Sequence, residues 1–152
     1  MKKILCFLVC LLLLFSVSCE KCRATDKLAE LCTACGEIPP IRVFFADGYD
    51  DAVLDEESAA LLYGSAEYLD AAEDYAIAVT ASTELFELHV IRPKSGREDE
   101  AVKLLEGRIS VLRSSGMEEY DPAVYYNIIE NAEPEKSDGF VILKIIRNSE
   151  NQ

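Results

Sequence analysis

Two runs of alternating apolar residues stand close together in the middle of the chain, YAIAVTA (75–81) and LFELHVI (85–91). In the first, Tyr75, Ile77, Val79 and Ala81 share a face. In the second, Phe86, Leu88 and Val90 share a face, and Glu87 and His89 lie on the other. The short polar spacer between the runs predicts an antiparallel hairpin. On this parity Glu87 and His89 form the more polar side of their strand, which makes the chain's one histidine a solvated one.

Helical patterns flank the hairpin. Leu28, Leu31, Cys32 and Cys35 recur at the spacing of one helix face and predict a helix over 26–35, closed by Gly36 and Pro39-Pro40. IRVFF (41–45) predicts a short strand, followed by an Asp47-Gly48 turn. Asp55 suits the N-cap of a helix ending at Tyr63-Gly64. Segment 65–74 is a loop or a short helix. The strongest helical signal is 97–114, with Ser95 and Glu98 at capping-box spacing and Val102, Leu105, Ile109 and Leu112 as its stripe; Gly116 ends it. Asp121-Pro122 opens a further helix. FVILKII (140–146) is the last strand, entered through Ser137-Asp138-Gly139, and Pro134 weakens any partner strand before that turn or confines it to an edge. Helix, strand, helix, hairpin, two helices and strand is not strict β-α-β alternation. The expected class is α+β, a small antiparallel or mixed sheet with helices packed on one face.

The N-terminus does not belong to that domain. Lys2 and Lys3 precede an unbroken apolar run of twelve residues, Ile4–Phe15. A membrane-spanning helix needs ~20. The run has the length of the hydrophobic region of an export signal, and Ser16 and Ser18 follow as small residues. Residues 1–18 are therefore expected to be a cleaved signal peptide that takes Cys6 and Cys10 with it. Phe15-Ser16-Val17-Ser18-Cys19 resembles the box at which bacterial lipoprotein precursors are cut, although Ser16 stands where Leu is usual. Cys19 is the expected lipidation site, and the membrane, through that lipid, the expected partner. Two acyl chains hold a protein on a bilayer far better than one. An ordinary signal-peptidase site at nearly the same place is the alternative, and leaves the protein secreted. Residues 19–25 form a tether of roughly 20 Å, 26–148 a single domain, and 149–152 a disordered tail.

Formal charge is −13, and −15 once Lys2 and Lys3 are gone. Nucleic-acid binding needs Lys and Arg against phosphates, so no nucleic-acid partner is expected. The acidic domain gains nothing from an anionic membrane surface, which leaves attachment to the lipid.

Cys19, Cys22, Cys32 and Cys35 form two C-x-x-C pairs, the spacing of a zinc site. The nine residues between them have a helical pattern, and a lipidated Cys19 is no thiolate ligand. That leaves Cys22, Cys32 and Cys35, with His89 as a distant fourth group, and no metal or other cofactor is expected. CTAC also stands at the end of its helix, where the dipole disfavours a thiolate. Cys22, Cys32 and Cys35 are candidates for core thiols or for a disulfide with one thiol left over.

The acidic runs 55–57, 98–100 and 118–121 stand at or before helix starts, where negative charge complements the dipole. DGYDDAVLDEE (47–57) lacks the calcium-loop pattern and KSGRE lacks that of a phosphate loop. No nucleophile motif accompanies His89, so no catalytic residue is assigned. Of seven tyrosines, Tyr120, Tyr125 and Tyr126 lie near the fourth helix, as a partly buried shell or as the lining of a groove.

The signal ending in Cys19, LDEESAALLYG (54–64), the hairpin 75–93, the helix 98–113, YDPAVYYNIIENA (120–132) and GFVILKII (139–146) occur in an order that resembles an uncharacterised family of small bacterial lipoproteins. Its members carry a domain of unknown function and are common in Gram-positive anaerobes. The anchors are Leu54-Asp55, Leu62-Tyr63-Gly64, Leu105, Arg108 and Tyr120, and this chain departs from the pattern at Cys22, Cys32, Cys35 and Pro134. The resemblance implies a lipid-anchored extracytoplasmic domain and supplies no catalytic residue. The expectation is a tethered binding or interaction domain. The alternatives are a thiol, metal or disulfide module on Cys22, Cys32 and Cys35, or an enzyme built from scattered acids and tyrosines.

Overall fold

The computed structural model describes residues 22–48, 52–80, 85–115 and 122–146. The signal segment, Cys19, the hairpin spacer, Gly116 and Asp121 lie outside them. The described residues form one five-stranded antiparallel sheet with helices, an α+β domain. The elements are α1 (Ala24–Cys35), β1 (Ile41–Phe45), α2 (Glu56–Tyr63), a 3₁₀ turn (Glu67–Ala71), β2 (Ala72–Thr80), β3 (Phe86–Pro93), α3 (Glu98–Ser115), α4 (Pro122–Glu130), β4 (Glu135–Ser137) and β5 (Phe140–Ile146). Strand order is β1-β2-β3-β5-β4.

Local chemistry sets most boundaries. Asp55 accepts a hydrogen bond from the Ser58 N–H at 2.7 Å, the expected N-cap. Asp138 and Gly139 both have positive φ and join β4 to β5 as a two-residue hairpin turn. β4 is a three-residue edge strand, in keeping with Pro134 just before it. Helix α3 departs from expectation at its start. The Arg97 carbonyl accepts its first helical bond, and the Arg97 side chain pairs with Glu100 and donates to the Asp70 carbonyl. The chain turns at Gly96 instead of being capped by Ser95.

Helices cover both faces of the sheet. On one, α2, α3 and α4 pack over Tyr75, Ile77, Ile91, Val141, Leu143 and Ile145. On the other, α1 lays Ala24 and Leu28 against Ala76, Ala78, Phe86, Leu88, Val90 and Ile142. Packing on a single face thus holds for α2–α4, while α1 crosses to the opposite side. The reason is that both sides of β2, β3 and β5 are apolar, and a sheet apolar on both sides needs two covers. Helix α1 starts two residues before the expected Asp26 and is tied down there. The Ala24 N–H donates to Asp74 at 2.8 Å, and Arg23 pairs with Asp47.

Helices α2 and α3 meet at Gly107. A Cβ added there would lie 2.4 Å from the Tyr63 carbonyl oxygen, a backbone atom that cannot swing aside. Gly107→Ala should therefore push the helices apart and destabilise the domain by about 1–3 kcal/mol. Chemical denaturation measures this, and an unchanged midpoint would show that the crossing is looser than the geometry requires.

Candidate functional site

The crossing at Gly107 brings Tyr63, the last residue of α2, and Arg108 of α3 over two side chains of β3. The β2–β3 register pairs Ile77 with His89 and Val79 with Glu87. The β3–β5 register sets Leu143 beside His89 and Ile145 beside Glu87. Cross-strand partners share a face, so Glu87 and His89 stand in an apolar surface under the helices. Expectation placed this side of the strand in solvent. Instead His89 is 0% exposed, Glu87 2% and Tyr63 3%.

Four side chains satisfy one another there. Arg108 grips Glu87 with two parallel bonds, Nε to Oε2 at 2.8 Å and Nη2 to Oε1 at 2.5 Å. His89 Nε2 is 3.0 Å from Glu87 Oε2, and Tyr63 Oη is 2.9 Å from His89 Nδ1. An ionised carboxylate only accepts, so His89 carries its proton on Nε2 and donates it to Glu87. Nδ1 of the neutral ring then accepts from the Tyr63 hydroxyl. Arg108 Nη1 also donates to the Leu62 carbonyl at 3.2 Å, which fastens the end of α2. Among the described residues, no buried side-chain nitrogen or oxygen lacks a partner.

The electrostatics follow from burial and the arginine. Burial raises the pKa of Glu87, but the Arg108 bonds, the His89 bond and the Arg108 charge outweigh it and hold the carboxyl at about 2. Burial depresses the His89 pKa below 6.5 despite the pull of Glu87, and it raises that of Tyr63 well above 10.0. A tyrosine, a neutral histidine and a carboxylate in a row have the parts of an acid–base relay. None of the three reaches a surface where a substrate can touch it, so the cluster is a buried brace between β3, α2 and α3.

An open concavity lies next to the brace. A cleft of about 300 Å³ runs between β1 and α2, floored by Val79 and Thr80 of β2. Arg42 and Phe44 of β1 form one wall, and Leu54, Ser58 and Leu62 form the other. Ser58 and Leu62 are one helical turn apart, which puts both on the same side of α2. Leu54 is fixed by its N–H donating to the Tyr75 hydroxyl at 3.2 Å. Leu62 is fixed by Arg108. The buried brace thus sets the position of the cleft wall.

The three described thiols are free and do not converge with the cleft. Cys22 is exposed, and Cys32 and Cys35 are partly buried against the core under α1. Burial and then the neighbouring Cys35 push the Cys32 thiol up, which disfavours its thiolate. Cys35 ends α1, at the negative end of the helix dipole as expected. Among the described residues, no three His, Cys, Asp or Glu side chains are grouped to hold a metal ion, and no helix is long and apolar enough to cross a membrane. Tyr125 is buried with its hydroxyl donating to the Leu112 carbonyl, so it belongs to the core and lines no groove. Tyr120 and the side chain of Tyr126 lie outside the described residues.

Neither Arg42 nor the cleft was visible in the sequence, because the cleft exists only where β1 and α2 stand apart over β2. The brace left one signal. Arg108 stands three and four residues from Leu105 and Leu104, on the apolar side of α3, where a charge needs a buried partner. Comparison with family models, with curated proteins and with solved structures finds no match to this chain.

Proposed function

We propose that this chain is a lipid-anchored, extracytoplasmic binding domain whose ligand site is the cleft between β1 and α2. The observation that carries the binding half is the contrast between the two candidate sites. The acid–base cluster is sealed, while the cleft is open and combines an apolar lining with an arginine and two hydroxyls. A mostly apolar concavity with a few oriented polar groups is the usual make-up of a ligand site, and its volume stands at the lower end of that range. The anchoring half rests on the signal segment, on Cys19 after Phe15-Ser16-Val17-Ser18, and on the resemblance to small bacterial lipoproteins. The acidic charge of the domain agrees with attachment through lipid.

Two measurements test the two halves. Cys19→Ala should move the protein from the membrane fraction to the soluble fraction, and a variant that stays with the membrane would refute lipid attachment. The methyl signals of Leu54, Leu62 and Val79, followed in the full chain, should shift saturably with at least one member of a panel of short peptides and small carboxylic acids. Methyls that respond to none of the panel would refute the cleft as a binding site.

A further inference from the structure

Resting on that reading of the cleft, we propose that its ligand is an extended peptide segment. The segment adds a strand to the outer edge of β1 and sets a single acidic side chain beside Arg42. The two edges of the sheet are built differently. Strand β4 is three residues long and carries Glu135 and Lys136, with Lys144 paired to Glu135 at 2.5 Å and Lys136 to Asp99 at 3.1 Å. Shortness and charge are how sheets protect an edge from added strands. Strand β1 has less of this protection. Its five residues, IRVFF, contain no proline and one charge, and among the described residues its only strand neighbour is β2. Pro39 and Pro40 end the ladder just before it.

The cleft lies where an added strand would need it. Ile41, Val43 and Phe45 face the α1 side of the sheet, while Arg42 and Phe44 face the cleft. A neighbouring strand continues this pleat, so its alternate side chains enter the space between β1 and α2. That space holds roughly ten water volumes. It suits one or two side chains, with the remaining affinity coming from main-chain bonds along the edge.

Charge narrows the sequence. Arg42 is an exposed cation that lines the cleft along with Ser58, in a molecule of net charge −13. It favours one carboxylate nearby, and the surrounding negative field disfavours a segment with many. A second copy of this chain fits less well. Two β1 strands paired about Val43 would set each Arg42 opposite Phe44 and supply no acid.

The test uses the full chain in detergent. The probes are blocked peptides of alternating Val and Thr with one Glu, their Lys-for-Glu counterparts, and butyrate. Glu peptides should bind saturably, slow amide exchange at alternate residues of β1, and bind about tenfold more tightly than the Lys peptides. Arg42→Glu should reverse that preference, a result that a merely structural role for Arg42 would not produce. If cleft methyls respond to butyrate or to peptides while β1 exchange stays unchanged, strand addition is wrong and the binding cleft stands. If β1 is protected without peptide, and more so at higher protein concentration, the edge is taken by a second copy and the proposal fails. If no probe moves the cleft methyls, both this inference and the reading beneath it fail.

Discussion

Replacing Glu87 with Ala is expected to destabilise the domain by about 3–5 kcal/mol. The carboxylate is the only group that faces both Arg108 and His89 in the brace. Without it the Arg108 Nε and Nη2 groups and the His89 Nε2–H lose Glu87 as an acceptor, His89 in a place closed to water. Removing one partner of a buried pair leaves an uncompensated charge, which costs far more than the net value of the intact pair. Domains of this size are stable by ~5–15 kcal/mol, so the variant should sit close to its unfolding threshold. Urea denaturation of parent and variant measures the difference. A loss under about 1 kcal/mol would mean that the brace does not bear on stability. Removing both charged groups and the imidazole together should do less harm. Glu87→Leu, His89→Leu and Arg108→Met in one chain should recover much of the loss, because no charge is then stranded. The same triple variant frees the Leu62 carbonyl from Arg108, so it should stay folded while its cleft wall loosens.

Acid is expected to unfold the domain in two stages. In the unfolded chain His89 titrates near 6.5 and Glu87 near 4.5, and folding lowers both. A group whose pKa is depressed on folding binds more protons unfolded. Its contribution is complete above the unfolded value and is lost as pH falls towards the folded one. Stability should therefore be flat above about pH 7 and begin to fall below 6.5, as burial and then the Arg108 charge disfavour a second proton on His89 in the folded state. A steeper loss should follow between 4.5 and about 2 as Glu87 is protonated, worth roughly 3 kcal/mol in all from the span between those values. Thermal midpoints from pH 8 to 3 test the order of events. His89→Gln should remove the early stage and keep the late one. A parent whose midpoint holds constant from pH 7 to 5 would contradict the buried neutral imidazole.

Both results depend on a fact that parity along β3 could not supply. Alternation separates Phe86, Leu88 and Val90 from Glu87 and His89, and that separation is correct. It does not say which side meets water. When one side of a strand is apolar and the other carries a carboxylate and an imidazole, solvent is the ordinary place for the second. Here the register overrules it. Ile77 and Val79 from one neighbour and Leu143 and Ile145 from the other make that side a core, and Arg108 and Tyr63 arrive from helices distant in sequence to neutralise and cap the polar pair. Placing α1 failed for a related reason. Its apolar stripe specifies a buried face, but not which side of the sheet buries it.

The sequence by itself determined most of the elements and their class, though not the short edge strand β4. Period-two and helical spacing, the Asp55 cap and the Asp138-Gly139 turn act over a few residues and are written in adjacent letters. It also carried the acidic charge and the features that support a lipid anchor at Cys19. Only the tertiary structure decided which faces are buried, joined Tyr63, Glu87, His89 and Arg108 into one brace, and left a gap between β1 and α2. Those outcomes depend on strand register and helix crossing, such as the close approach of Gly107 to the Tyr63 carbonyl. They arise from contacts between residues tens of positions apart, for which no short stretch of sequence carries the pattern.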